Sequence, residues 1–181
     1  MNKFVYDIPT KVYFGKDHLH RLGPELSKYG KRVLLTYGGG SIKKSGLYDA
    51  IVFEIEEAGL EMFELSGIEP NPRIDSVRAG AALCKKEKID VLLAVGGGFI
   101  SNPETQDKLA AFSPVLLPKV SFLDPTNTYT VSKYQTACGA ADILSHIIEV
   151  YFNMGRDLYM LDTVMEGLMK TVIKHAPIAM Q

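Results

Sequence analysis

Short apolar runs alternate with amphipathic stretches through the first half of the chain, the pattern of βαβ units feeding a parallel sheet. The near-continuous apolar run at 32–37 predicts a buried strand ending at Gly38-Gly39-Gly40-Ser41. Leu47, Ala50, Ile51, Ile55 and Ala58 recur at spacings of three and four and predict a helix, which Gly59 stops before a strand at 61–65. Residues 66–72 are turn chemistry, since two prolines forbid a regular ladder. A second helix carries Ile74, Val77, Ala81 and Cys84 on one face, and 89–95 gives a third strand ending at Gly96-Gly97-Gly98.

After Gly98 the rhythm breaks. Residues 99–105 have neither a helix period nor a helix start, where a doubly wound sheet needs a crossover helix. Residues 116–123 read as a further strand closed by Asp124-Pro125, and from Val131 onward the period is helical. A break is expected at 153–157, with Asp157 capping the second helix. The fold class expected is α/β, a Rossmann-like parallel-sheet domain over 1–125 followed by the first helices of an all-α domain over 126–181.

Composition narrows the function classes. Hydrophobic residues make up 46% and charged residues 23% of the 181, an ordinary globular balance. A net charge of −1 without any basic track argues against nucleic acid as partner. No stretch is long enough to span a bilayer, and the start lacks the cationic and apolar segments of a secretion signal, so a cytoplasmic location is expected. Cys84 and Cys138 read as small buried residues rather than as a disulfide or a metal cage.

Two features carry candidate chemistry. Glycines after a buried strand let the backbone approach a phosphate, and the following helix start offers unpaired N–H groups. Either run alone reads as an ordinary tight turn; two at equivalent strand ends point to a ligand, because open α/β sheets bind at the carboxyl ends of their strands. The spacing is neither G-x-G-x-x-G nor a Walker motif. Ser41 can bond a phosphate or a ribose, and Lys43 and Lys44 can balance further negative charge, for instance a 2′-phosphate, or stand as a solvated helix-start pair. Asp142 and His146, four apart on a predicted helix, project from one face as ligands for one divalent metal or as a surface contact. Apolar neighbours Ile143, Leu144, Ile147 and Ile148 suggest burial, and Glu149 is turned one residue away.

Taken together, Pro9 to Gly15, Tyr37 to Ser41, Glu69-Pro70-Asn71-Pro72, Val95 to Gly98, Ser101 to Lys108, Leu123-Asp124-Pro125 and Gly139 to Glu149 resemble the iron-containing (group III) alcohol dehydrogenase family, in its butanol dehydrogenase branch. The resemblance implies an incomplete dehydroquinate synthase-like fold. It also implies hydride transfer between NAD or NADP and a small alcohol or aldehyde such as butanol or butanal, with Fe2+ or Zn2+ as metal. Cofactor contacts would fall on Gly38, Gly39, Gly40, Ser41, Asn71, Gly96, Gly97, Gly98 and Lys108, and the first two metal ligands on Asp142 and His146. Members commonly dimerise, so a homodimer is expected. The chain departs from the family after Gly98, where the nicotinamide-lining block is missing, and it lacks two further histidine ligands. Non-catalytic nucleotide binding is therefore the competing expectation.

Overall fold

A computed structural model of the chain describes residues 9–69, 71–96, 100–102, 104–105, 107–109, 113–152 and 158–181. These fall into two units, Met1–Asn127 and Thr128–Gln181. In the first, β1 (Lys11–Phe14) leads through α1 (Leu22–Leu26) to β2 (Arg32–Tyr37). Helices α2 (Ser41–Lys44) and α3 (Leu47–Glu57) connect β2 to β3 (Glu61–Leu65), and α4 (Ile74–Lys86) connects β3 to β4 (Val91–Val95). Strands β5 (Ile100–Asn102), β6 (Asp107–Leu109) and β7 (Val120–Leu123) follow.

Strands β3, β2 and β4 lie side by side in that order, all parallel, with Leu34 opposite Phe63 on one side and Leu92 on the other. The central position explains the continuous apolar run of β2, because Val33, Leu34 and Leu35 lose all contact with solvent. Leu22 and Leu26 of α1 and Ile51 and Ile55 of α3 close over Val33, Leu35 and Tyr37. Gly23 permits this approach, since a Cβ there would stand 2.6 Å from the Glu54 carbonyl oxygen and 2.8 Å from the Ala58 Cβ. At the amino end of the sheet, Asp90 Oδ2 accepts from the Lys31 and Arg32 amides at 2.9 and 3.0 Å. Those backbone bonds hold its carboxyl below the usual range.

Strand β1 pairs in parallel with β7, and the Gly15 amide extends the ladder to the Leu123 carbonyl at 2.9 Å. The pair is fastened to α1 by buried Glu25, which accepts from Lys11 at 2.5 Å and from the Tyr13 hydroxyl at 2.7 Å and pairs with Lys28 at 2.9 Å. These partners, Lys11 foremost, hold the Glu25 carboxyl down at about 2 and push the Lys11 ammonium up.

Two local readings are corrected. The strand read over 116–123 begins only at Val120; a 3-10 turn occupies Pro114–Leu116, and Pro118 has no N–H to give a ladder. Where the sequence left 99–105 without an element, β5 and β6 form an antiparallel hairpin. Arg73 bridges to Ser101, whose amide donates to the Pro72 carbonyl at 2.8 Å. Among the described residues, β4 pairs on one side alone, with β2.

In the second unit, Ser132 caps α5 (Lys133–Tyr151) by accepting from the Gln135 amide at 3.3 Å. Helix α6 (Tyr159–Ala179) packs against α5, and Tyr151 donates to Glu166 at 3.3 Å. The expected break at 153–157, with its cap Asp157, lies outside the described residues. Cys138 is exposed and Cys84 only half-buried, which overturns the reading of both as buried. No helix among the described residues is long and apolar enough to cross a membrane.

Candidate functional site

Tyr37 pairs with Val95 across β2 and β4, so the two glycine turns start side by side at neighbouring carboxyl ends. Strand β3 lies on one side of β2 and β4 on the other, so the connections run in opposite directions from β2. The crevice where that direction reverses is where open α/β sheets take ligands. Gly38 sits tightly: its Cβ would meet the Ile68 carbonyl oxygen at 3.0 Å, and its own carbonyl accepts from the Gly67 amide at 3.0 Å. Gly39 and Gly40 have no left-handed φ, and a Cβ on either would touch nothing within 4 Å. Protein packing therefore does not explain glycine at those two positions, and the space over them is open. Gly96 has a φ of +98°, a conformation that favours glycine. Gly97 and Gly98 lie outside the described residues.

Ser41 opens α2, a single turn too short for much of a dipole, so its contribution is its unbonded first N–H groups. Exposed Asn71 lies in the loop after β3. The same loop receives β5 through the Pro72 and Ser101 bond, and Lys108 stands opposite Ser101 in the hairpin register. The backbone thus gathers the Asn71 loop and the Lys108 strand in one cluster.

Of a second group beside the first glycine turn, the sequence singles out Lys43 alone. Tyr37 donates to Glu64 Oε2 at 2.7 Å, and Tyr48 donates to Oε1 of the same carboxylate. The Lys43 ammonium lies 4.4 Å from the Tyr48 ring centroid and 5.5 Å from that of Tyr37. Hydrogen bonding to Glu64, aided by burial, pushes the Tyr48 hydroxyl up to about 12, and the two tyrosines hold Glu64 below the usual carboxylate range. A hydrogen bond with Tyr37 is the main cause that raises Lys43, and the Glu64 and Asp49 charges add to it.

Asp142 and His146 share one face of α5, with His146 Nε2 3.7 Å from Asp142 Oδ2. Both side chains are about three-quarters exposed, at 75% and 73%, which corrects the expectation of burial: Ile147 alone of the neighbouring apolar residues is buried, while Ile143 and Ile148 face outward. Glu149 is not turned away either, for its Oε2 lies 3.9 Å from His146 Nδ1. No group of three or more His, Cys, Asp or Glu able to hold a metal occurs among the described residues. The carboxylate and imidazole suit a divalent ion, but as one half of the roughly four-ligand shell such a metal takes.

A parallel sheet whose strands end in glycine turns at adjacent carboxyl ends defines an α/β protein of the doubly wound class. The model of the iron-containing alcohol dehydrogenase family matches residues 9–100, and the chain belongs to that family. It is 38% identical to the NADH-dependent butanol dehydrogenase B of Clostridium acetobutylicum over 233 aligned positions, which take in 100% of this chain and 60% of that protein. Against the NADPH-dependent aldehyde reductase YqhD of Escherichia coli it is 29% identical, again over 100% of this chain and 60% of the relative. The crystal structure of NADH-dependent butanol dehydrogenase A from Thermotoga maritima superimposes with a TM-score of 0.89 at 30% identity, covering 98% of this chain and 57% of that one. The chain thus spans about 60% of the length of the curated relatives it matches. Because 181 residues enter an alignment of 233 positions, at least 233 less 181, or 52, positions pair with no residue of this chain.

Proposed function

We propose that the chain carries the nicotinamide-dinucleotide module and the first metal-ligand helix of a metal-dependent alcohol dehydrogenase that interconverts a small primary alcohol and its aldehyde, of the butanol and butanal type. The observation that carries this reading is the placement of the two glycine turns at adjacent carboxyl ends of β2 and β4, with open space over Gly39 and Gly40. The cofactor's pyrophosphate would lie over Gly38, Gly39, Gly40 and Gly96, with Ser41 and Asn71 at its edge. Asp142 and His146 would each give one donor to an Fe2+ or Zn2+ ion. When bound, the nicotinamide supplies the hydride and the metal supplies Lewis-acid polarisation of the substrate oxygen. The chain's own residues bind and orient: backbone N–H groups meet the phosphates, and Asp142 and His146 present two ligands from one helix face.

The shortfall of at least 52 aligned positions favours a second reading, a nucleotide-binding chain without turnover. Two protein ligands leave an ion mostly hydrated and weakly held. Nicotinamide fluorescence titration with NADH and NADPH tests the binding reading, and butanal reduction with added Fe2+ or Zn2+ tests catalysis. Binding without turnover supports the second reading, ordinary turnover overturns it, and absence of binding to both dinucleotides overturns the nucleotide assignment itself.

A further inference from the structure

His146 stands between two carboxylates rather than beside one. Its Nε2 lies 3.7 Å from Asp142 Oδ2, one turn toward the start of α5, and its Nδ1 lies 3.9 Å from Glu149 Oε2, one turn toward the end. Helix geometry sets this order. Side chains lean toward the amino end of a helix, so the imidazole reaches back to Asp142, and the longer Glu149 side chain reaches back to the other nitrogen of the same ring. Glu149 is 81% exposed, as open as its two neighbours, and ion pairs so exposed contribute little to folding. Stability therefore does not account for the trio.

The two ring nitrogens of a neutral imidazole differ, one bearing a hydrogen and the other a lone pair. A histidine that holds a metal ion through one nitrogen nearly always donates its other N–H to a carboxylate, a carbonyl or water, which fixes the tautomer, turns the ring and makes the free nitrogen a better ligand. Nε2 and Asp142 share one side of the ring, while Nδ1 faces Glu149. The ring nitrogens diverge, so both carboxylates cannot join the imidazole on one ion, in keeping with the absence of any three-ligand group among the described residues. We infer that Glu149 is the positioning residue of this half-site: its carboxylate accepts the Nδ1 hydrogen of His146 and leaves the Nε2 lone pair beside Asp142. The 3.9 Å contact is an ion-pair distance, which rotation of an exposed glutamate side chain shortens to a hydrogen bond when the ring is engaged. This inference rests on the metal reading of Asp142 and His146 above and deepens it.

The test is a 15N NMR titration of the full, histidine-labelled chain with Zn2+ alone, for the wild type and for Glu149→Ala, Glu149→Gln and Glu166→Gln, with His146→Ala assigning the signals. In the loaded wild type, His146 is expected to be protonated at Nδ1 and metal-bound at Nε2. Glu149→Ala weakens Zn2+ binding about tenfold and removes that fixed tautomer, with helix content by circular dichroism unchanged. Glu149→Gln keeps an uncharged acceptor, roughly half as strong, and loses about threefold. Glu166→Gln removes the same charge from α6 and leaves binding unaltered. Undiminished binding in Glu149→Ala, an equal loss in Glu149→Gln, which would reduce the effect to charge, an equal loss in Glu166→Gln, or a metal-bound Nδ1 overturns the inference while leaving Asp142 and His146 as ligands. Zn2+ binding that is absent from the wild type, or that survives both Asp142→Asn and His146→Ala, overturns the metal reading and the inference with it.

Discussion

Gly39→Ala separates the stability of the first glycine turn from its use. A Cβ at this position would touch no protein atom within 4 Å, and the backbone is outside the left-handed region, so alanine enters the folded state without strain. Alanine also narrows the unfolded ensemble, which favours folding by about 0.4–1 kcal/mol. Urea unfolding followed by circular dichroism is therefore expected to show a variant as stable as the wild type or slightly more so. The same methyl projects into the space assigned to the dinucleotide phosphates, where overpacking costs about 1–3 kcal/mol. That range corresponds to a loss of roughly fivefold to 150-fold in dinucleotide affinity, measured by fluorescence titration on the same preparation. Destabilisation by more than about 1 kcal/mol would mean that glycine is required by the fold. Undiminished affinity would mean that no phosphate lies over the turn.

Gly23→Ala tests the opposite case, since its Cβ would meet the Glu54 carbonyl oxygen at 2.6 Å and neither helix can yield cheaply; a loss of about 1–3 kcal/mol in urea unfolding is expected, against which the helix propensity gained is at most about 1. Glu25 has a depressed folded pKa, so its contribution to stability is complete above its unfolded value near 4.5 and is lost as pH falls toward about 2. Acid unfolding monitored by circular dichroism is expected to be flatter through that window in Glu25→Gln, and an unchanged profile would contradict the role assigned to the Lys11, Tyr13 and Lys28 contacts. For the metal, calorimetric titration of the isolated chain with Zn2+ is expected to give weak binding that Asp142→Asn and His146→Ala each abolish; binding that survives both places the ion elsewhere.

The elements were legible where one neighbour decides them. The run at 32–37 had to be a central strand because nothing else buries Val33 to Tyr37 on two faces, and the two glycine turns together marked neighbouring strand ends. Burial of Asp142 and His146 was misread for a definable reason. Apolar residues at Ile143 and Ile148 resemble a core stripe in sequence, yet Ile147 is the buried one of the helix, and the side chains of the two candidate ligands are exposed. The Tyr37, Tyr48, Glu64 and Lys43 cluster left no local signal either, because its members are brought together by parallel strand pairing and a crossing helix, not by spacing along the chain. An exposed glutamate in an alternating strand looks like any solvated position until two hydroxyls are seen on it.

Among the described residues β4 pairs on one side alone, which bears on how the protein is expected to behave in bulk. Its residues Val91–Val95 are wholly apolar, with Leu92 62% exposed, and within the strand there is no proline, charge or bulge of the kind that blunts a sheet margin. Such a border is a template for intermolecular cross-β growth, so refolding yield falls as concentration rises, whatever the intrinsic stability of the fold. A single lysine in place of Leu92 would act there as a gatekeeper, trading little buried surface for colloidal tolerance.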